Sequence, residues 1–443
     1  MSYFCRITTT LLVLLCRNAD AQDPCKTLLS LDQAIAIALD QNPSQKAALQ
    51  GIFISKNEVV ANFSAYYPDI DFIGSYTRFR ERIFLPVFNL PFTTPILTNP
   101  IVGPTNDWNI RIEGSYILYD SGERLARLRA SRASSHIAVE EADRIAQEII
   151  LNVSLAYYNH LSDIDLYEVS LQNQARSEDH LRIASERYKV GDVPLADTLR
   201  TQVEVAEAKQ SVVKTASLVR ISRGNLNVSM GLAPNVEYEV EKIKAVPIDP
   251  STLSITDSFE NAVKYRPETR SQSYRINVKA NGIDQARSAF GPKVLASGKF
   301  GSRDIDFYPS DIEWAMGVAV TVPIFKGFRN VANLRKAQGE YYQEVAGYEG
   351  ASLTVRQDVW NAYSKILESI QAINAAIAQV KDAAESQRLA KERYEVGAGT
   401  INDLLDAQTA LLRAQATEVD AYNQYLSSMT TFQWAQGLLG CEF

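Results

Sequence analysis

Residues 391–408 read KERYEVGAGTINDLLDAQ, and residues 185–202 read SERYKVGDVPLADTLRTQ. Glu, Arg, Tyr, Val, Gly, Asp, Leu and Gln recur in register, always 206 positions apart. Each stretch reads as a helix that stops at a glycine and restarts a few residues later. Gly191 and Gly397 suit the stops, because a left-handed residue commonly closes a helix and glycine adopts that conformation at little cost. Thr400-x-x-Asp403 forms a capping box for the restart in the second copy. Pro194-x-x-Asp197 takes the same place in the first, where proline fits a first helical turn.

The repetition runs outward from these turns. Asn42-Pro43 matches Arg266-Pro267 and Gly74 matches Gly298, both 224 positions apart. From Trp108, which matches Trp314, through Ala156-Tyr157 and Ala362-Tyr363 to Gly231-Leu232 and Gly437-Leu438, the offset is 206. The halves therefore span 30–232 and 254–438, joined by the linker 233–253. They differ by one eighteen-residue insertion between Gly74 and Trp108. Strict conservation of length over the following stretch is the behaviour of continuous helix, where one added residue rotates every later side chain by about 100°. Each half predicts a short helix (31–41 in the first), a second helix after Pro43 (44–66), two strands, a very long helix, the glycine turn and another long helix.

Strands are expected near 69–79, 108–119, 294–303 and 312–325. In 108–119, Trp108, Ile110, Ile112, Tyr116 and Leu118 share one face; Asn109, Arg111, Glu113 and Ser115 share the other. In 312–325, Ile312, Trp314, Met316, Val318, Val320, Val322 and Ile324 alternate against Glu313, Ala315, Gly317, Ala319 and Thr321. Period-two alternation marks strands with one apolar face. A half-buried sheet in a soluble domain would show the same pattern. Length and end-placed aromatics (Trp108, Tyr119, Trp314, Phe325) favour strands that span a bilayer. Four strands cannot close a barrel in lipid, so that reading demands an oligomer that pools strands.

From Gly122 to Val190 there is no proline and no internal glycine, about 100 Å of helix. Its counterpart runs from Arg329 to Val396. There Val359, Tyr363, Ile366, Ile370, Ile373, Ile377, Val380 and Ala384 follow a 4-3 heptad spacing, and Leu405, Leu412, Val419 and Leu426 recur every seven on the returning helix.

The N-terminus reads as a secretory signal peptide. Arg6 precedes an apolar run, Ile7 to Leu15, and Ala19-Asp20-Ala21 offers a small-x-small cleavage site, giving a cut after Ala21. A lipidated start at Cys16 is the alternative, disfavoured by the bulky Leu15 before it. No other segment is apolar enough for a transmembrane helix. The whole chain carries 45 basic and 52 acidic residues; losing Arg6, Arg17 and Asp20 leaves 43 against 51, a charge of −8. An acidic chain without a basic cluster argues against nucleic acid. Cys25 and Cys441 survive the cut. An even pair in an oxidising compartment suggests a disulfide, with two separate free thiols as the alternative.

The doubled RYxVGxxxxxDxL turns, the strand-helix-turn-helix order and the signal peptide together resemble the TolC family of outer-membrane efflux ducts, over essentially the whole mature chain. The resemblance implies an α+β fold. Three chains would pool four strands each into one twelve-stranded outer-membrane barrel, continued by an antiparallel coiled-coil tunnel through the periplasm. An equatorial belt would include 31–41, the linker and the C-terminal end. The implied partners are two further copies, outer-membrane lipid, a periplasmic adaptor protein and an inner-membrane pump of proton-driven or ATP-driven type. The implied role is the passive exit duct of a tripartite system for small molecules. A duct for type I protein secretion shares the fold, and a structural coiled-coil envelope protein is a further alternative.

Carried over by motif, Val190, Gly191, Asp192, Val396, Gly397 and Ala398 would be adaptor-docking tips. Asp403 and Asp406, three apart on one helix face, would ring the inner mouth. Asp403 serves equally well as a cap, which leaves Asp406 the better pore residue. Asp197 and Tyr394 match members of the family's closing latch, but Ala398 and Gly399 replace its other members. No catalytic role is expected. His136, His160 and His180 do not have metal-site spacing, no cofactor motif is present, and VGAGT follows helix rather than strand.

Overall fold

The computed structural model describes residues 28–80, 83–84, 101–102, 106–243, 247–250, 253–304, 307 and 312–440. The predicted signal peptide, Cys25, Cys441 and most of the proline-rich stretch 80–107 lie outside them. In chain order the elements are β1 (Leu28–Leu29), α1 (Leu31–Gln41), α2 (Pro43–Phe63), β2 (Asp69–Arg78), β3 (Ile83–Phe84), β4 (Ile101–Val102), β5 (Asn106–Tyr119) and α3 (Glu123–Lys189). There follow α4 (Leu195–Ser229), β6 (Glu239–Val240), α5 (Ile255–Tyr265), α6 (Pro267–Ser288), β7 (Lys293–Asp304), β8 (Ile312–Thr321), α7 (Arg329–Glu395) and α8 (Ile401–Ala435). α3 and α7 have 67 residues each, and α4 and α8 have 35 each.

The ends of these helices follow from local chemistry. Ser30 and Gln33 cap α1 reciprocally, each side chain accepting the other's backbone N–H. Asn42 caps α2 by accepting from the Ser44 N–H, with Pro43 in the first turn. All four long helices close in the same way. Gly191, Gly231, Gly397 and Gly437 have positive φ. Each glycine N–H and the following N–H fold back onto carbonyls of the last turn, as in Gly397 to Tyr394 (3.1 Å) and Ala398 to Arg393 (2.8 Å). That pattern satisfies carbonyls a helix end would otherwise leave orphaned.

The chain divides into two compact units. One comprises residues within 1–41, 152–247 and 373–426. In it β1 pairs in parallel with β6, a contact between the chain start and the linker that no sequence pattern announced. Tyr157, fully buried on α3, ties that ribbon down. Its hydroxyl lies 2.9 Å from the Leu29 carbonyl and 2.8 Å from the Glu241 carbonyl, which share its proton. Burial pushes the phenol up to about 12. Asn227 on α4 donates to the Pro234 and Val236 carbonyls and folds the linker onto its own helix. α3 and α4 pack through short polar links, His160 Nδ1 with Ser222 Oγ (2.9 Å) and Ser170 Oγ with Thr215 Oγ1 (2.8 Å).

The other unit comprises residues within 42–151, 248–372 and 427–443. Its centre is an antiparallel sheet in the order β2-β5-β7-β8. The register puts Phe72, Ile112, Phe300 and Trp314 in one row of one face, beside Ile70, Met316, Val318 and Val320. These side chains are exposed. The opposite face is polar and paired across strands: Arg303 with Asp107 (2.8 Å) and Lys299 with Glu313. Tyr76 and Trp108 stack at one end, ring centroids 4.3 Å apart. Gly301 is required by contact, because a Cβ there would meet the Ile110 carbonyl at 2.3 Å.

Three details differ from the sequence expectation. β8 ends at Thr321 rather than residue 325, since Pro323 has no N–H to give the ladder. A bulge between Ile117 and Tyr119 puts Tyr119, not Leu118, opposite Val294 on the apolar face. The second helix closes at Phe63 and residues 64–66 form a single 3₁₀ turn.

Helix packing also departs from the heptad reading. On α7, Val359, Ile366, Ile370 and Ile373 are buried, but Ile377 and Ala384 are exposed, and the buried stripe passes instead to Ala376 and Tyr394. A straight helix drifts by about 20° per heptad, so a strict seven-residue stripe turns away from its partner. On α8, Leu404, Leu411, Tyr425 and Phe432 are buried, one position before the expected stripe of Leu405, Leu412, Val419 and Leu426, which is half-covered. Spacing fixes a period but not which of two neighbouring stripes faces inward.

Arg266 holds the helical part of this unit. It is buried at the α5–α6 joint, pairs with Glu268 (2.9 Å) and Asp358 (3.5 Å), and lies 4.1 Å from the centroid of the Trp434 ring.

Tyr157→Phe removes the one proton that the two carbonyls share. The expected loss is about 1–2 kcal/mol of stability, read as a lower melting temperature of the detergent-solubilised protein. An unchanged melt would mean the β1–β6 ribbon is held by other contacts.

Candidate functional site

The two turns that open the sequence reading lie in the same compact unit and pack against each other. Their joint core is Ile183 from α3 with Tyr394, Ile401 and Leu404 from the second turn, and Ala390 and Leu405 at its margin. Leu404 and Tyr394 are almost completely buried.

Arg187 organises this contact. Its Nη1 donates to the Tyr394 backbone carbonyl. Its guanidinium lies 5.0 Å from the centre of the Tyr394 ring, within cation–π range. Its Nε stands 3.9 Å from Asp192. A Cβ at Gly397 would come within 3.2 Å of Nη2, so the glycine that ends α7 also leaves room for this side chain. Further along α3, Asp179 accepts from Lys391 at 2.6 Å and from Arg182 at 2.6 Å. The bond from Lys391, then that from Arg182, holds its carboxyl below the usual range against the opposing effect of burial. Sequence reading passed over Arg187. The signal was there, in an Arg-Tyr pair before each glycine.

The two predicted latch residues, Asp197 and Tyr394, lie near each other. The Tyr394 hydroxyl is buried and has no hydrogen-bond partner among the described residues. Burial raises its pKa, and the negative charge of nearby Asp197 adds to the shift. Asp197 itself is half-buried on the first turn of α4. The Tyr394 backbone carbonyl accepts from Arg187 and from the Gly397 N–H.

Asp403 is occupied as a cap. Its Oδ2 accepts from the Thr400 N–H (3.0 Å) and Thr400 Oγ1 (2.8 Å), and Thr400 Oγ1 in turn accepts from the Asp403 N–H (3.2 Å). Those bonds, the backbone one foremost, lower its pKa. Asp406 lies one turn further on, exposed. Arg200, its counterpart in the first half, donates to Asn402 Oδ1 at 2.9 Å and so reaches the same first turn of α8. The tip residues Val190, Gly191, Asp192, Val396, Gly397 and Ala398 are all exposed.

The histidines are placed apart. His136 stacks on Tyr274 (4.9 Å between centroids), and His160 is buried against Ser222. Burial brings the His160 pKa down to about 4. His180 is buried 3.5 Å from Glu204, whose carboxylate also accepts from Ser177 (2.9 Å). Among the described residues no three His, Cys, Asp or Glu side chains converge as metal ligands.

Arg187→Ala should free the end of α7. Amide exchange at Tyr394 to Gly399 is expected to rise at least tenfold, while the distal α3–α4 contacts keep their protection. Unchanged exchange there would show that the apolar core alone holds the turn. Asp403→Ala should raise exchange in the first turn of α8 and nowhere else.

The comparisons agree with this architecture. The sequence model described as outer membrane efflux protein matches residues 34–232 and 259–437. Outer membrane protein OprJ of Pseudomonas aeruginosa is 24% identical over 314 residues, covering 68% of this chain and 64% of its own, so this alignment spans just under two thirds of OprJ. Multidrug resistance outer membrane protein MdtQ of Escherichia coli is 24% identical over 423 residues, 92% of this chain and 85% of its own. Among solved structures, the outer membrane protein VceC of Vibrio cholerae superposes with a TM-score of 0.77 at 18% identity, over 92% of this chain and 96% of that one. With both halves of the chain matched, the protein belongs to the outer membrane efflux protein family.

Proposed function

We propose that this protein is the exit duct of a tripartite export system. In this reading three copies each contribute β2, β5, β7 and β8 to one twelve-stranded barrel in the outer membrane. Their paired helical hairpins form the tunnel below it. The observation that carries the reading is the sheet. It is apolar and exposed on one face, salt-bridged on the other, and its outer strands β2 and β8 each have one edge without a partner strand among the described residues. Lipid does not tolerate such an edge. A neighbouring copy satisfies it, with β8 of one chain beside β2 of the next. The apolar face then meets lipid and the charged face lines the lumen.

The tips Val190-Gly191-Asp192 and Val396-Gly397-Ala398 then face the periplasmic adaptor, which links the duct to an inner-membrane pump. The pump supplies the energy and the duct conducts passively. The name of the relative MdtQ, for multidrug resistance, supports small toxic compounds as cargo over a secreted protein. At the mouth, Asp406 carries the pore role. Asp403 contributes charge from the same face while serving as the cap.

Three measurements test this. The detergent-solubilised protein should have the mass of a trimer; a monomer overturns the architecture. In planar bilayers Asp406→Ala should weaken block by multivalent cations by at least several-fold, and an unaltered block would leave Asp406 structural. Deleting the gene should sensitise cells to small toxic compounds. Unchanged sensitivity with loss of a secreted protein would favour type I secretion instead.

A further inference from the structure

The compact unit that carries the two turns also holds a groove between α3 and α8, bordered by the linker residues Lys242 and Ile243. Its volume is about 540 Å³, within the range of small-molecule sites. Every residue that lines it belongs to this unit, so the groove is built within one chain.

Its walls are of two kinds. Tyr158, Leu161 and Val169 from α3 and Val419, Tyr422 and Leu426 from α8 supply aliphatic and aromatic surface. Asp165 and Glu168 on α3 and Glu418 on α8 supply three carboxylates. Lys242 is the one base in the lining. It is already engaged, donating to Asp165 at 3.0 Å and to Glu168 at 2.9 Å. Glu418 is half-buried and forms no ion pair with a described residue. Burial raises its pKa, and no cation opposes that shift. The surrounding field has the same sign, since burial and the charge of Asp163 raise the pKa of nearby Asp420.

The internal repeat separates scaffold from chemistry here. At the offset of 206, Leu161 and Val419 keep aliphatic counterparts, Leu367 and Val213. Tyr158, Asp165, Glu168, Glu418 and Tyr422 instead correspond to Ser364, Gln371, Asn374, Val212 and Ala216. None of those five carries a charge or an aromatic ring. The packing positions are shared by both halves, while the rings and carboxylates occur together in one place only.

We infer that this groove binds an amphipathic organic cation, its charged nitrogen beside Glu418 and its apolar part against Tyr158 and Tyr422. A buried carboxylate without a base gains from an adjacent positive charge, and tyrosine faces attract cations as well. A neutral ligand leaves Glu418 uncompensated, and an anion meets three carboxylates. A compact inorganic ion makes no use of the aliphatic walls. The site needs no second copy, so it depends neither on the trimer nor on the export role proposed above.

The test uses the full-length protein in lipid nanodiscs and ethidium, a planar organic cation. Fluorescence anisotropy should show saturable binding beyond that of empty nanodiscs. Glu418→Gln should weaken it by about tenfold, the scale of one lost charge-assisted contact, at an unchanged melting temperature. Glu207→Gln, an equal charge change at an exposed position of α4, should leave the affinity as it is. Phenanthridine, which shares the ring system without the fixed charge, should not compete. Photolysis of ethidium monoazide on the unaltered protein should label residues 158–172 or 418–426, a readout that needs no variant to fold. Labelling elsewhere, binding that does not saturate, equal competition by phenanthridine, or an affinity that Glu418→Gln leaves intact each overturns the inference.

Discussion

An α-helix cannot gain or lose a residue without turning everything beyond it by about 100°. That constraint governs this chain. Along α3, Asn173, Arg176, Ile183 and Arg187 all reach into the second half of the sequence. Their spacings are three, seven and four, the rhythm of one helix face. One inserted residue between them would turn part of the set away from its partners. The two halves accordingly keep their helices at 67 and 35 residues while their other sequence diverges. The length difference between the halves falls instead between β2 and β5, where a loop can absorb it.

The strands obey a related rule with a shorter period. A slip of one residue in register would move every apolar side chain to the polar face. In this sheet the register is fixed on both faces. Phe72, Ile112, Phe300 and Trp314 stand in a row, and on the reverse side the ion pairs of Arg303 with Asp107 and Lys299 with Glu313 bridge neighbouring strands. Such a pattern has no use for water on the apolar side. It fits a protein whose family resides in the outer membrane.

What the sequence disclosed depended on distance along the chain. Helix stops at Gly191 and Gly397, the Thr400–Asp403 cap and the alternation of 108–116 all rest on neighbours within a few residues, and all are present in the structure. Long helices were legible from the absence of proline and from conserved length. Arg187 was not, because its partner lies 207 residues away and an exposed arginine looks the same in sequence. The same holds for the β1–β6 ribbon and for Tyr157, whose acceptors are backbone carbonyls that carry no side-chain signature. The phase of α8 was not fixed by its spacing: Leu405, Leu412, Val419 and Leu426 keep the seven-residue period, yet Leu404, Leu411, Tyr425 and Phe432 are the buried side chains, and packing decides which side of a helix faces inward.

Where the two turns differ, the differences have a direction. Arg200 in the first half stands where Asp406 stands in the second, and Arg200 bonds to Asn402, one turn before Asp406 on the same helix. A ring of three chains built on six equivalent tips would place like charges at all six positions. In the proposed trimer, opposite charges at matching positions would instead alternate, three carboxylates between three guanidinium groups. In the proposed trimer the duplicated turn repeats one helix-capping design at every tip, while its divergent positions, Arg200 and Asp406, set the charge that each tip carries.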